Sequence, residues 1–140
     1  GVVVMKPLDY SAQEDSRLFS FSGDGVIAIE GESVDISRES NADMAIELQY
    51  QVIGDVKANA LLSMGCGENC QGELDISKDF SQKANLGWQT SRIKLSCFAD
   101  KGTKMTAVNS PFVLSVSGEL QLQLHSLKIV SNQGDASCSL

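Results

Sequence analysis

The clearest pattern in the chain is an alternation of apolar and polar residues with a period of two. Between Met44 and Val52, every second residue is apolar, and Ala, Glu and Gln occupy the positions between them. Side chains on a β-strand point alternately to opposite faces, so this segment has one dry and one wet face. The pattern recurs over residues 17–22, 112–117 and 120–130. It predicts an all-β protein with two packed layers, an antiparallel β-sandwich.

Turn signals divide the chain into a predicted set of eight or nine strands. Gly23-Asp24-Gly25 predicts a tight hairpin turn, and Gly118 predicts a turn between the last two strands. One helical turn is predicted within residues 77–85. Further strands are predicted over residues 26–30, 33–37, 59–64, 72–76 and 88–97. Their number and spacing indicate a sandwich or jelly roll.

The length of 140 residues fits one domain with a substantial core. Residues 1–9 hold a short apolar segment and Pro7, so they are predicted to be a linker or edge strand from an upstream domain. The chain begins Gly-Val-Val-Val rather than with Met, so we expect it to be a piece of a longer polypeptide. We expect residues 10–131 to form the sandwich and the Ser-rich residues 132–140 to form a flexible tail.

The charge balance restricts the class of partner. The net charge of −7 and the scattered basic residues argue against a nucleic-acid surface and against an anionic membrane. No apolar run approaches the length of a membrane span. A neutral ligand such as a sugar meets no electrostatic penalty.

The four cysteines give a second constraint. Cys66 and Cys70 bracket Gly-Glu-Asn, which favours a tight turn and predicts a local disulfide in an oxidising compartment. Cys97 is interpreted as a small buried apolar residue, and Cys138 lies in the expected flexible tail. A zinc site is disfavoured because Cys97 is distant and His125 is the only histidine. Whether Cys66 pairs with Cys70 or with Cys97 stays open.

Candidate catalytic groups are few. His125 lies on the outward phase of a late strand and is predicted to be a surface or interface residue. Carboxylate pairs such as Glu30 and Glu32 fit solvated turns better than an acid/base pair. Trp88 is expected in the core rather than on a sugar-stacking platform, whereas Tyr10 is the aromatic most expected to be exposed. The sequence therefore predicts no complete active site.

Five sequence blocks together resemble a known family. In order and spacing they are similar to the C-terminal β-sandwich domain of bacterial family 3 glycoside hydrolases, over residues 9–131. The blocks are Tyr10–Asp15, Val34–Glu39, Met64–Cys70, Trp88–Thr90 and Ile93–Phe98.

The resemblance implies a galactose-binding-like jelly roll with an accessory role. In that family the nucleophile and the acid/base lie in upstream domains, and the enzymes are periplasmic or secreted β-glucosidases and exo-β-glucanases. The implied partners are those catalytic domains and a β-glucan or gluco-oligosaccharide. An independent carbohydrate-binding module and a purely structural domain are the alternatives.

The resemblance also implies site residues near the N-terminus. Gln13 is the expected sugar contact, because its amide offers donors and an acceptor, with Tyr10 and Glu14 beside it. Related sandwiches hold a structural calcium with an acidic pair, here Glu14 and Asp15, and a carboxylate on the last strand. The run Leu120–Val130 has no acid, and a solvated turn explains the same residues. No other cofactor is expected.

Overall fold

A computed structural model describes residues 2–5, 17–132 and 134–140, with the backbone alone for residues 2–5. These ranges form one six-stranded sheet in the order β1-β2-β6-β3-β4, with β5 also paired to β3. Every pairing is antiparallel except the edge pair β1–β2. The elements are β1 (Val2–Met5), β2 (Arg17–Ile29), α1 (Ser37–Asn41), β3 (Ala45–Gly65), β4 (Gln71–Asp75), α2 (Ser77–Lys83), β5 (Gln89–Lys94), α3 (Leu95–Asp100) and β6 (Ser110–Val130).

Two long strands build both layers. β3 and β6 are 21 residues each and pair along almost their whole length. The first half of β3 has β5 as its other neighbour, whereas the second half has β4. Buried residues from both halves belong to one hydrophobic cluster, so the two halves face each other across a common core. The predicted all-β antiparallel fold is confirmed.

The predicted turns at Gly23-Asp24-Gly25 and at Gly118 are wrong. β2 and β6 run through both positions, and Gly23 pairs with Gly118 without a register shift. Gly118 in turn pairs with Ala58 of β3, just after a bulge that contains Gly54. All three glycines have positive φ, a conformation that glycine adopts without steric cost. They lie close together in adjacent strands, and each strand bends there and continues. The chain therefore forms long bent strands where two shorter strands were predicted, and the predicted number of eight or nine strands is not confirmed.

Two of the short helices begin in the same way. Asp35-Ile36-Ser37 leads into α1 and Asp75-Ile76-Ser77 into α2, and the Ser is the first helical residue in both. In each case the Asp carboxylate accepts hydrogen bonds from the Ser hydroxyl and backbone N–H, at 2.6–3.0 Å. These hydrogen bonds lower the pKa of Asp35 and of Asp75 below the usual value. The intervening Ile side chain is buried in both turns, which anchors each helix to the core.

The sequence predicted α2 correctly but predicted a strand where α1 begins. The helical turn expected within residues 77–85 is confirmed by α2. The strand expected over residues 33–37 is wrong, because only Val34 forms a bridge, with Val108, before α1 begins.

Tyr50 lies at the centre of the core. Its side chain is fully buried, its hydroxyl lies 3.0 Å from the Ser91 hydroxyl, and its ring meets Phe80 of α2 edge to face. Burial raises the pKa of the Tyr50 phenol. The alternation that predicted a dry stripe through Tyr50 is confirmed.

The strand predicted over residues 88–97 ends early. Lys94 pairs with Ala45, the first residue of β3, so β5 has no partner beyond this point. The chain continues as α3, which buries Leu95 and Phe98.

The C-terminal segment is attached to the sandwich rather than free. Cys97 on α3 forms a disulfide with Cys138, with the Cα atoms 5.6 Å apart. Ser137 exchanges backbone hydrogen bonds with Arg92 and Lys94, each 3.0 Å long. The interpretation of Cys97 as a buried residue is confirmed, and its disulfide partner is Cys138 rather than Cys66. The flexibility expected for residues 132–140 stays a prediction. The other disulfide joins Cys66 to Cys70, with the Cα atoms 5.1 Å apart.

Gly118 and Gly23 provide a matched pair for testing the bend. A Cβ at Gly118 would clash with the Lys57 carbonyl oxygen, whereas one at Gly23 meets nothing within 4 Å. Both have φ above 100°. We expect Gly23→Ala to cost about 1–2 kcal/mol from backbone strain alone. Gly118→Ala should cost at least about 2 kcal/mol more, because it adds the steric clash. Equal losses of unfolding free energy for the two variants, measured by urea unfolding, would contradict the close approach of Gly118 to the Lys57 carbonyl.

The two disulfides should contribute unequally to stability. Their sequence separations are 41 and 4 residues. In the chain-entropy treatment, the long loop is worth about 4 kcal/mol and the short loop about 2 kcal/mol. We therefore expect the Cys97→Ser/Cys138→Ser variant to unfold at lower urea than the Cys66→Ser/Cys70→Ser variant. The reverse order would show that the C-terminal segment adds little.

Candidate functional site

A β-bulge in β6 places His125 on the outer face of the sandwich. Gln49 pairs with Ser126 and Tyr50 pairs with Leu124, so His125 is an extra residue without a partner position on β3. Inward positions therefore shift from Leu124 to Leu127 across the bulge. Bulges of this kind redirect side chains and are common next to functional sites.

A loop held by Asn85 forms the neighbouring wall. Asn85 has a left-handed backbone, and its side-chain amide bonds both the N–H and the carbonyl of Gly54, at 2.8 and 3.3 Å. Gly87 follows with φ of 79°. The loop presents Leu86 and Trp88 outward, with 62% and 49% of their surface exposed.

Trp88 is thus exposed, and its predicted place in the core is wrong. β5 pairs regularly with β3 and has no bulge, so Ser91 and Ile93 are buried, whereas Trp88 and Thr90 face outward. The outward phase of His125 was predicted correctly, and its ring lies 6.0 Å from the Trp88 ring, edge to face.

These side chains line an open groove of about 460 Å³. The lining consists of Trp88 and His125 together with the polar, uncharged Gln49, Gln89 and Thr90. Gln89 is oriented by a hydrogen bond from its amide nitrogen to the Leu86 carbonyl, 3.4 Å long. The groove therefore combines an exposed aromatic ring with amide, hydroxyl and imidazole groups that donate and accept hydrogen bonds. Neutral hydroxylated ligands suit such a lining.

An ion cluster occupies the adjacent row of the same face. Glu47 pairs across the strands with Arg92 and Lys128, and its side chain is only 7% exposed. Arg92 donates to Glu47 from Nε and Nη2, at 2.8 Å each, and also binds Asp135 of the C-terminal segment. The hydrogen bond to Glu47 raises the pKa of Arg92. These charges compensate one another, and none of the four residues lines the groove.

The other expected site residues cannot be placed. Tyr10, Gln13, Glu14 and Asp15 lie outside the described residues, so sugar contact by the first three and calcium binding by Glu14 and Asp15 stay predictions. Among residues 17–132 and 134–140, no group of three or more His, Cys, Asp or Glu side chains is placed to hold a metal ion. No helix in the described part of the chain is long and apolar enough to cross a membrane.

The groove residues were missed as a group at the sequence level. One signal was available in the sequence of β6. The leucines at 120, 122 and 124 occupy even-numbered positions, whereas Leu127 and Ile129 occupy odd-numbered ones. A shift of the apolar alternation by one residue indicates a single-residue bulge. The side on which Trp88 lies depended on the regularity of β5 and had no comparable signal.

The family is decided by comparison with known sequences. Residues 1–129 match the sequence model of the Exop_C family, described as galactose-binding domain-like. The chain belongs to this family. No curated protein matches the chain.

Two solved structures share the Exop_C fold of this chain. The extra C-terminal domain (X) of exo-1,3/1,4-β-glucanase (ExoP) from a Pseudoalteromonas species has a TM-score of 0.66 and 21% identity, covering 93% of this chain and 70% of that one. Exo-1,3/1,4-β-glucanase (EXOP) from the same organism has a TM-score of 0.65 and 21% identity. The match covers 93% of this chain and 16% of the glucanase, so this chain spans a small part of its length.

The Asn85 anchor can be tested by removing its amide. Asn85→Gly keeps the left-handed backbone and removes the two hydrogen bonds to Gly54, so we expect a loss of about 1–2 kcal/mol. Acrylamide should also quench Trp88 more strongly, because the loop is less constrained. Asn69→Gly is the control, since Asn69 has a similar φ of 57° in the exposed cysteine turn. Identical quenching in both variants would show that Asn85 does not position Trp88.

Proposed function

We propose that this chain is a non-catalytic accessory domain of a family 3 glycoside hydrolase that acts on β-glucan. The observation that carries the proposal is the Exop_C match over residues 1–129. The fold likeness to the extra domain of an exo-1,3/1,4-β-glucanase supports it, since that likeness extends over 93% of this chain. In the proposed polypeptide, catalytic domains on the same chain carry the reaction and this domain packs on them.

Three of the described carboxylates support a non-catalytic role through the bonds they form. A glycosidase acid needs a raised pKa so that it holds its proton at neutral pH. Asp35 and Asp75 have the opposite shift, because each accepts hydrogen bonds from a following serine. The buried carboxylate of Glu47 is paired with Arg92 and Lys128.

The disulfides support an extracytoplasmic location for the proposed enzyme. Two disulfides fix the cysteine turn and the C-terminal segment, and such bonds persist in oxidising compartments. We therefore place the parent enzyme in the periplasm or outside the cell as part of the proposal. Gln13 keeps its proposed contact with the substrate pocket of the catalytic domains.

Deleting the domain from the parent polypeptide tests the accessory role. The 140-residue chain alone should release no sugar from a soluble β-1,3/1,4-glucan. The parent enzyme without this domain should lose stability or lose kcat/KM on that glucan by about tenfold, which corresponds to about 1.4 kcal/mol of lost interaction. Full activity and stability after deletion would contradict the proposal, and so would hydrolysis by the isolated chain.

A further inference from the structure

The groove between Trp88 and His125 has the features of a ligand site. It lies on the outer face of the layer formed by β3, β5 and β6, with one wall from each strand or its adjoining loop. A crevice near Val34 and Val108, by contrast, has a volume of about 30 Å³ and a mostly apolar lining. The larger groove falls within the usual size of small-molecule and oligosaccharide sites, about 300–1,000 Å³.

The exposed indole of Trp88 is held in place by a loop and a bulge that contribute nothing to the packing of the core. Trp88 leaves 49% of its surface exposed, and burying such a ring on folding would have stabilised the protein. Instead, the Asn85–Gly54 bonds and the bulge at His125 hold two aromatic rings in contact on the surface. A rigid, exposed aromatic beside hydrogen-bonding groups loses little conformational entropy when it binds.

The lining chemistry selects the class of ligand. No Asp, Glu, Lys or Arg is among the residues that line the groove, whereas the whole chain has a net charge of −7. Gln49, Gln89 and Thr90 offer amide and hydroxyl groups, which bind hydroxyls without requiring a charge on the ligand. An anionic polymer would meet unfavourable overall charge and no Lys or Arg among the residues that line the groove.

We infer that this groove binds a neutral β-linked glucan chain, with a sugar ring stacked on Trp88 and its hydroxyls bonded to Gln49, Thr90 and His125. The open shape of the groove, as the described residues form it, suits a segment of a polymer that enters and leaves. The inference extends the proposed function, because it names a glucan-binding surface on the accessory domain. The choice of glucan as the sugar rests on that proposed function.

Trp88 is the single tryptophan of the chain, so tryptophan fluorescence, excited selectively, reports on this site alone. Titrating the 140-residue chain with a soluble β-1,3/1,4-glucan should shift the emission to shorter wavelength as the ring leaves water. The same polymer in a native gel should retard the chain. An acidic polysaccharide such as alginate should do neither.

Variants separate the groove from the rest of the surface. Trp88→Ala should weaken glucan binding in the gel by about tenfold or more, because it removes the stacking surface. Thr90→Val keeps the shape and removes one hydroxyl, so we expect a loss of about twofold to tenfold. Leu86→Ala is the matched control: it removes an exposed apolar side chain from the same loop, outside the groove, and should change affinity by less than about twofold. Circular dichroism verifies that each variant folds.

Three results would overturn the inference. These are retardation that persists in Trp88→Ala, equal binding of the acidic polysaccharide, or no fluorescence change and no retardation at saturating glucan. In the last case the exposed face would instead suit contact with partner domains. Failure of the accessory role would appear separately, as unchanged activity and stability when the domain is deleted from the parent polypeptide.

Discussion

The pairing of β3 with β6 is the interaction on which the described structure depends. The two strands form the shared spine of both layers, and β2, β4 and β5 each attach to one of them. Because the spine bends, its two halves bury Leu48 and Tyr50 in one layer and Leu62 and Leu114 in the other against the same core. Hydrogen bonding and apolar burial are thus coupled, and neither layer can form its core without the other.

Irregularities in this spine also produce the candidate site. A bulge in β3 at Gly54 leaves backbone groups that Asn85 binds, which fixes the loop carrying Trp88. A second bulge, in β6, brings His125 to the same face. The residues between the two bulges pair regularly with the neighbouring strand, whereas the residues at the bulges have no partner position on it. The two aromatic side chains of the groove, Trp88 and His125, therefore come from a loop and a bulge, whereas Gln49 and Thr90 come from regularly paired positions of β3 and β5.

Much of the fold followed from residue patterns, and the failures have a common cause. Alternation around Tyr50 predicted the inward face correctly, and α2 lies within residues 77–85, where a helical turn was expected. Gly23 and Gly118 were read as ends of strands, although each is a bend within a strand; local composition is the same in both cases. Whether a glycine ends or bends a strand depends on a partner far away in sequence. The same holds for Cys97, whose partner is 41 residues away, and for Trp88, whose exposure depends on the register of β5.

Hydrogen exchange measured along β3 is the most direct test of the shared spine. If the two halves of β3 open only together, amides in Ala45–Tyr50 and in Ala60–Ser63 should exchange with the same free energy of opening, close to that of global unfolding. Destabilising one layer by a core substitution should then lower protection in both segments equally. Two separate opening free energies, with only the substituted layer affected, would contradict a single cooperative core built on β3 and β6.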